Sequence, residues 1–243
     1  MIRVLSRATA ITFATALAVL LGTAASASAF SPDDFDDDGV PNAEDNCLVV
    51  ANPSQEPGTD GPDGAACSGD QARSTLTALR FDYTYGQVDA IYRSVDAGAM
   101  PGWDVKSFGR VRCQFSVRCL GFDQDHRANH LVNEPVVPLL WSGQHWWTTE
   151  TGGRFVQRTG PDRSFEWLEA TVKYDSSLVD GKPAIVGIYP LEKNPPPVSN
   201  IVLENREVQS GVYLGWAWLY AVAPYVGPKV LLFHVLQDFN NPN

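Results

Sequence analysis

The sequence predicts a mainly β protein, in which one antiparallel, barrel-like domain follows a short, irregular acidic segment. Residues after position 98 hold many short runs with strand character, separated by clusters of Gly, Pro, Asn and Asp. Such punctuation is typical of antiparallel sheets that close into barrels or sandwiches. Residues 30–70 carry eleven acidic residues and no Lys or Arg, which is typical of a segment without a core of its own.

The individual elements follow from periodicity. Alternating or continuous apolar runs predict strands over 107–117, 136–149, 165–174, 184–189, 201–208, 212–220 and 230–237. One short helix is predicted over 85–95, because apolar side chains recur there at helical spacing. Residues 71–243 therefore form the barrel-like domain with one short helix, and they are numerous enough to bury a core.

The run 212–220 is unusual because both of its faces are apolar. One face carries large residues such as Trp216 and Trp218, whereas the other includes the small residues Gly215 and Ala217. This pattern suits a barrel wall with a cavity inside and a helix or loop outside, and a simple packed core is the alternative. Seven tryptophans also suit a ligand-lining cavity. A second functional hypothesis is therefore a carrier of an apolar small molecule or lipid.

The first 29 residues have the pattern of a secretory signal peptide. Arg3 and Arg7 precede an apolar run at 11–21, and Ala27-Ser28-Ala29 forms a small-x-small cleavage site. The alternative, an uncleaved anchor, has an apolar core shorter than the ~20 residues that span a bilayer. We expect a protein that is secreted, periplasmic or on the outer cell surface, and that is not an integral membrane protein after cleavage.

Charge excludes one class of partner. Residues 71–243 hold seventeen acidic and sixteen basic residues, so the net charge of the mature chain comes from residues 30–70. An acidic segment repels nucleic acid phosphates, and no basic patch compensates for it. We expect no nucleic acid partner.

Within the acidic segment, oxygen-bearing side chains recur at alternate positions. Asp34, Asp36 and Asp38 occupy positions 1, 3 and 5 of a loop, Gly39 occupies position 6, and Asp45 occupies position 12. Ca²⁺ takes 6–8 oxygen ligands, and a loop supplies them from alternate carboxylates followed by a sharp turn. Glycine suits that turn because it tolerates positive φ. The spacing predicts a calcium site, and a disordered acidic linker is the alternative.

Two further ligands are predicted from the same spacing, the carbonyl of Val40 and the side chain of Asn42, directly or through water. The loop departs from an EF-hand because position 12 is Asp45 rather than Glu, and because no amphipathic helices flank it.

The sequence around this loop resembles a thrombospondin type 3 repeat over about residues 34–67. The resemblance is carried by the Asp-rich loop, Asp45-Asn46-Cys47, Asn52-Pro53-Ser54-Gln55 and Cys67, in that order. It implies calcium ligation by Asp34, Asp36, Asp38, Val40, Asn42 and Asp45, and a Cys47–Cys67 disulfide. Because the uncompensated acidic charges need a cation in order to pack, we expect calcium to order the segment in a structural or adhesive role outside the cell. Most ligands of a second site are missing between Gln55 and Cys67, so one ion is expected rather than two.

Four cysteines fit an oxidising compartment and allow three pairings. The pairing that the resemblance favours leaves Cys113 and Cys119. On one continuous strand these residues would lie about 20 Å apart at ~3.3 Å per residue. A bridge between them therefore requires the chain to bend.

The barrel-like domain looks like an uncharacterised group of bacterial proteins with a small, lipocalin-like β domain. The segments 140–147, 174–185 and 207–215 carry this resemblance, which covers roughly residues 88–238. It implies a fold of the lipocalin or calycin type and no established chemistry.

No catalytic constellation is recognisable, and we expect that the protein is not an enzyme. There is no G-x-S-x-G elbow, P-loop or dinucleotide fingerprint. His126 and His130, four residues apart, can form a transition-metal pair if that stretch is helical. Surface polar residues are the alternative account of this pair.

Overall fold

A computed structural model describes residues 30–55, 69–113, 141–160, 162–222 and 225–240. Residues Ser31–Asn243 belong to one compact unit. The elements in chain order are α1 (Gly69–Phe81), α2 (Tyr85–Ser94), β1 (Trp103–Lys106), β2 (Phe108–Cys113), β3 (Gly143–Thr149), β4 (Gly152–Thr159), β5 (Phe165–Ser176), β6 (Pro183–Ile188), a 3-10 turn (Val198–Asn200), β7 (Ile201–Gln209), β8 (Val212–Val222) and β9 (Val226–Asp238).

The nine strands form one antiparallel sheet that closes almost completely into a barrel. The strand order is β1-β3-β4-β5-β6-β7-β8-β9-β2, so β3 to β9 form an up-and-down meander. Near closure comes from β1 and β2, which are separated only by Ser107 and pair with β3 and β9 respectively. The N–H groups of Ser107 and Gly109 donate to the carbonyls of Gln144 and Ser142, each at 2.9 Å. The predicted mainly β, barrel-like fold is confirmed.

Two glycines allow this close approach of strands. A Cβ atom on Gly143, whose φ is +141°, would lie 2.1 Å from the carbonyl oxygen of Ser107. A Cβ atom on Gly109 would lie 2.6 Å from the Cα atom of Gly143. Any side chain at either position would therefore push the closing strands apart.

The wall of the barrel is packed on both sides, as the two apolar faces of the run 212–220 predict. Ala217 of β8 lies in the interior core with Trp146, Phe155 and Leu203. Trp216 lies on the opposite face and packs edge-on against Tyr92 of α2, with ring centroids 5.7 Å apart. Ala217 therefore faces the interior, whereas Trp216 faces helix α2.

The helix predicted over 85–95 is confirmed as α2. Thr84 caps its first turn and Gln87 returns a bond to the backbone of Thr84, which forms a capping box. The structure adds α1, β1 and β4, which the periodicity did not predict. Strand β3 begins at Gly143 rather than at 136, while residues 136–140 and 114–117 lie outside the described part of the chain. Within the described ranges, neither helix has both the length and the apolar character needed to cross a bilayer.

Candidate metal centre

The acidic loop wraps its backbone around its own carboxylates. One oxygen of Asp34 (Oδ2) accepts the Gly39 N–H at 3.0 Å, and one oxygen of Asp38 (Oδ1) accepts the Val40 N–H at 2.8 Å. Asp36 Oδ1 accepts the Asp38 N–H at 3.3 Å. The bonds of Asp36 and Asp38 are Asx-type bonds, which reach two residues on, and the Asp34 bond spans five residues. All three lie within the loop, so its fold is determined locally.

The carboxylates of Asp34, Asp36 and Asp45 each have one oxygen without a partner in the described part of the chain. Asp34 Oδ1, Asp36 Oδ2 and Asp45 Oδ2 are all buried without a hydrogen bond in the described part of the chain. The great majority of buried polar atoms in proteins are paired, and one unpaired acceptor costs about 1–3 kcal/mol. Three such oxygens lie within one twelve-residue loop, so they are the atoms available to a cation there.

The spacing of the carboxylates suits one ion. Ligand oxygens of Asp34, Asp36 and Asp38 all lie within 4.8 Å of one another. Two oxygens on opposite sides of a calcium ion lie about 5 Å apart, since each Ca–O distance is about 2.3–2.6 Å. The three carboxylates can therefore contact a single ion without a change of the backbone.

Electrostatics leads to the same conclusion. Burial, together with a smaller effect of repulsion from Asp45, Asp38 and Asp34, raises the pKa of Asp36 to about 7. A carboxylate held among like charges favours its protonated form unless a cation balances the site.

Gln55 and Asn52 close the loop, and the sequence did not assign them a role. The Gln55 amide group donates to Asp45 Oδ1 at 3.0 Å, and its oxygen accepts the Asn46 N–H at 2.7 Å. The Asn52 N–H donates to Asp38 Oδ2 at 2.8 Å. These bonds tie the last ligand position to the earlier ones. The Asn52-Pro53-Ser54-Gln55 motif was the available sequence signal.

The two remaining predicted ligands lie within the same loop. Asn42 uses its amide to brace the loop, because Oδ1 accepts the Phe35 N–H and Nδ2 donates to the Pro32 carbonyl, both at 2.9 Å. Its oxygen keeps one lone pair for a cation or a bridging water. Ligation by the Val40 carbonyl stays a prediction.

The acidic segment is packed against the helical part of the domain. Phe35, Leu48 and Val49 are buried. The hydroxyl of Tyr83, which lies between α1 and α2, contacts the carbonyl oxygens of Phe35 and Val49 at 3.2 and 3.3 Å. The backbone of the candidate site is therefore attached to the barrel domain through a side chain that the sequence did not indicate.

Of the four cysteines, Cys47 has a described side chain. It is fully buried and disulfide-bonded. Its partner is not among the described side chains, so the Cys47–Cys67 pairing stays a prediction. Strand β2 is described as far as Cys113, and Cys119 lies outside the described residues.

Two other predicted features also lie outside the described residues. These are the signal peptide at 1–29 and the histidine pair His126 and His130.

The chain matches no family model and no curated protein. Among solved structures, it is similar to a crystal structure of a protein from Thermomonospora curvata. The identity is 15%, the TM-score is 0.41, and the match covers 70% of this chain and 97% of that protein. The assignment of the barrel rests on the hydrogen-bonded sheet described above.

Proposed function

We propose that the protein is an exported calcium-binding protein, in which calcium orders the acidic segment on the surface of the barrel domain in a structural or adhesive role. The observation that carries this proposal is the set of three buried, unpaired carboxylate oxygens on Asp34, Asp36 and Asp45. The 4.8 Å spacing of Asp34, Asp36 and Asp38 supports a single ion.

The donor set favours calcium over other metals. All of the candidate ligands are oxygens, whereas zinc and the later transition metals favour histidine nitrogen and thiolate sulfur. Magnesium usually keeps several waters and is held by one or two carboxylates. A loop that brings the three carboxylates of Asp34, Asp36 and Asp38 together suits calcium better, and we expect a Kd of about 10⁻⁴–10⁻³ M, as in extracellular modules.

Calcium at this site would act mainly on the position of the segment. The ion would relieve the repulsion that raises the Asp36 pKa and would hold Phe35 and Val49 where the Tyr83 hydroxyl contacts their carbonyls. At calcium concentrations of about 100 times Kd, binding to the folded form alone stabilises it by about 2.7 kcal/mol.

The test is calcium titration of the mature protein by calorimetry, with an Asp36→Ala plus Asp38→Ala double variant. We expect the double variant to lose measurable calcium uptake, because two of the converging carboxylates are gone. Its barrel should keep the wild-type near-UV circular dichroism.

A matched control removes two acidic charges from the same segment without touching the carboxylate cluster. Asp33→Ala plus Glu44→Ala serves, since both residues are exposed, and it should bind calcium within a few-fold of wild type. The proposal is wrong if the Asp36 and Asp38 double variant binds calcium like wild type, or if the control loses binding equally.

A further inference from the structure

The interior of the barrel is filled at one end and hollow at the other. The rings of Phe239 and Tyr213 pack 5.4 Å apart, and Trp146 packs edge-on against Phe239 at 5.8 Å. A cavity of about 170 Å³ lies toward the other end, where β4 joins β5, β6 joins β7, and β8 joins β9. Its walls are mostly apolar, and Leu203 and Val235 are among them.

Hydrogen bonds among the polar groups beside this cavity run in one direction. The Trp146 indole N–H donates to Gln144 Oε1 at 3.1 Å, so the Gln144 amide nitrogen is free to donate to Gln157 Oε1 at 3.3 Å. Gln157 Oε1 also accepts the Trp141 indole N–H. Because an indole N–H can only donate, the two tryptophans determine the orientation of both amides.

The series of bonds ends on the hydroxyl of Tyr189. The Gln157 amide nitrogen donates a hydrogen bond to the Tyr189 hydroxyl oxygen. The Tyr189 hydroxyl is therefore the acceptor in this bond, and its own O–H can donate a hydrogen bond to another group. Among the described residues, no group accepts a hydrogen bond from this O–H. Burial raises the pKa of Tyr189 above its usual range, so the hydroxyl stays protonated. Tyr189 lines the cavity and is 3% exposed to solvent.

A buried hydroxyl donor without an acceptor indicates that the ligand of this cavity carries a hydrogen-bond acceptor. An oxygen atom of a bound molecule can accept a hydrogen bond from the Tyr189 hydroxyl. The hydrogen bonds that Trp141 and Gln157 donate along the series strengthen this bond through cooperative polarisation. Among the described residues, no charged side chain lines the cavity, so burial of an ionised ligand against these walls would be strongly unfavourable. The ligand chemistry is therefore neutral, with one accepting oxygen.

The volume limits the size of the ligand. An apolar cavity of about 150 Å³ accommodates benzene, whereas pockets for drug-sized molecules span about 300–1,000 Å³. At about 170 Å³, the cavity suits a molecule slightly larger than benzene. The volume therefore favours a small molecule over a long-chain lipid as the ligand.

A β-bulge in β5 shapes the wall of this cavity. Trp167 pairs with Gln157 and Glu169 pairs with Val156, which leaves Leu168 as the extra residue. Leu168 has a φ of +56° and lines the cavity. Positive φ is unfavourable for a bulky side chain, and a bulge redirects the side chain it carries.

We propose that this cavity is a binding site for a small, neutral, largely apolar molecule with one oxygen that accepts a hydrogen bond from the Tyr189 hydroxyl. This site is separate from the calcium loop and goes beyond its proposed role. The exposed rings of Phe165 and Trp167, 6.3 Å apart at the start of β5, provide an apolar surface for entry.

The test compares two probes of nearly the same shape, acetophenone and α-methylstyrene. Acetophenone has a carbonyl oxygen where α-methylstyrene has a methylene group. Binding to the full mature protein is followed by tryptophan fluorescence and confirmed by calorimetry. We expect wild type to prefer acetophenone about 3- to 10-fold, the value of one neutral hydrogen bond. Tyr189→Phe should abolish this preference and leave α-methylstyrene binding unchanged within about 2-fold, because the ring remains and only the donor is lost.

A second variant tests the location. Val198→Phe places a larger side chain in the wall of the cavity and should weaken binding of both probes at least ~10-fold through steric exclusion. The Asp36→Ala plus Asp38→Ala variant should bind both probes like wild type, so failure of the calcium proposal is distinguishable from failure of this one. Equal affinity of the two probes for wild type, a preference that persists in Tyr189→Phe, or no binding of either probe would overturn the proposal.

Discussion

Two aspartates show how differently the acidic segment and the barrel treat a buried charge. In the segment, burial and three neighbouring carboxylates raise the pKa of Asp36 to about 7. In the barrel domain, hydrogen bonds from the Arg206 guanidinium lower the pKa of Asp180 to about 2. The barrel domain supplies the partner for Asp180 from its own chain, whereas one buried oxygen of Asp36 has no partner among the described residues.

Other buried ionisable side chains in the barrel domain also find hydrogen-bond partners within the chain. Glu204 is fully buried, and its carboxylate accepts the Leu178 N–H at 2.7 Å and the Trp218 indole N–H at 2.6 Å. The Arg112 guanidinium donates to the carbonyls of Leu79 and Tyr83. We infer that the barrel folds without a metal, and that calcium affects only the segment packed against it.

The largest predicted effect comes from breaking the pair in the barrel domain. Asp180→Ala leaves the Arg206 guanidinium buried without its carboxylate, and Arg206 has no exposed side-chain surface. Removal of one partner of a buried ion pair costs about 3–5 kcal/mol. Urea unfolding should therefore show a loss of about that size in the free energy of unfolding.

The control for this prediction is Asp175→Ala, which removes a carboxylate from an exposed pair with Lys173. We expect it to change the unfolding free energy by less than about 1 kcal/mol. The Asp180 contribution should be fully present above its unfolded pKa of 3.8, and it should be lost as the pH falls toward 2. Equal losses in the two variants would contradict a special role for the buried pair.

The second prediction concerns the opposite pH dependence of the segment. With calcium chelated, the raised pKa of Asp36 favours the folded state below pH 3.8, and that contribution is lost as the pH rises through about 7. Because a proton on Asp36 competes with the ion, calcium affinity should fall on the order of tenfold per pH unit below pH 7. Calorimetric titration at about pH 5.5 and about pH 8 measures this.

Asp36→Asn sharpens the contrast because it removes the charge and keeps the shape. In chelator at about pH 8, this variant should be more stable than wild type, since the repulsion among the carboxylates is reduced. It should also lose calcium binding. A variant that is less stable than wild type under these conditions would show that Asp36 is satisfied by the chain itself.

The smallest predicted effect lies at the junction of the two regions. Tyr83→Phe removes the hydroxyl that contacts the carbonyls of Phe35 and Val49. Loss of this bond should lower the stability gained from calcium by about 0.5–1.5 kcal/mol. Thermal unfolding with and without calcium measures the difference. Tyr220→Phe is the control, and its effect should stay within about 0.5 kcal/mol in either condition.

Much of the molecule was predictable where neighbours along the chain determine the structure. The carboxylate-to-backbone bonds of the acidic loop span two to five residues, and the capping box of α2 spans three. The run 212–220 predicted both faces of β8, because alternation along one strand is enough to separate them. Strand β4 was missed because Gly152 and Gly153 suggest a turn, and because its polar side chains become satisfied only in the sheet.

The sequence by itself determined a mainly β chain that follows an acidic loop with carboxylates at alternate positions. Only the tertiary structure decided that the Tyr83 hydroxyl joins this segment to the barrel domain. It also decided that Trp141 and Gln144 orient the Gln157 amide, which donates a hydrogen bond to the Tyr189 hydroxyl. The physical reason is distance along the chain. Tyr83 contacts Phe35 across 48 positions and Gln157 contacts Tyr189 across 32, so each pair depends on packing and strand register that no local pattern encodes.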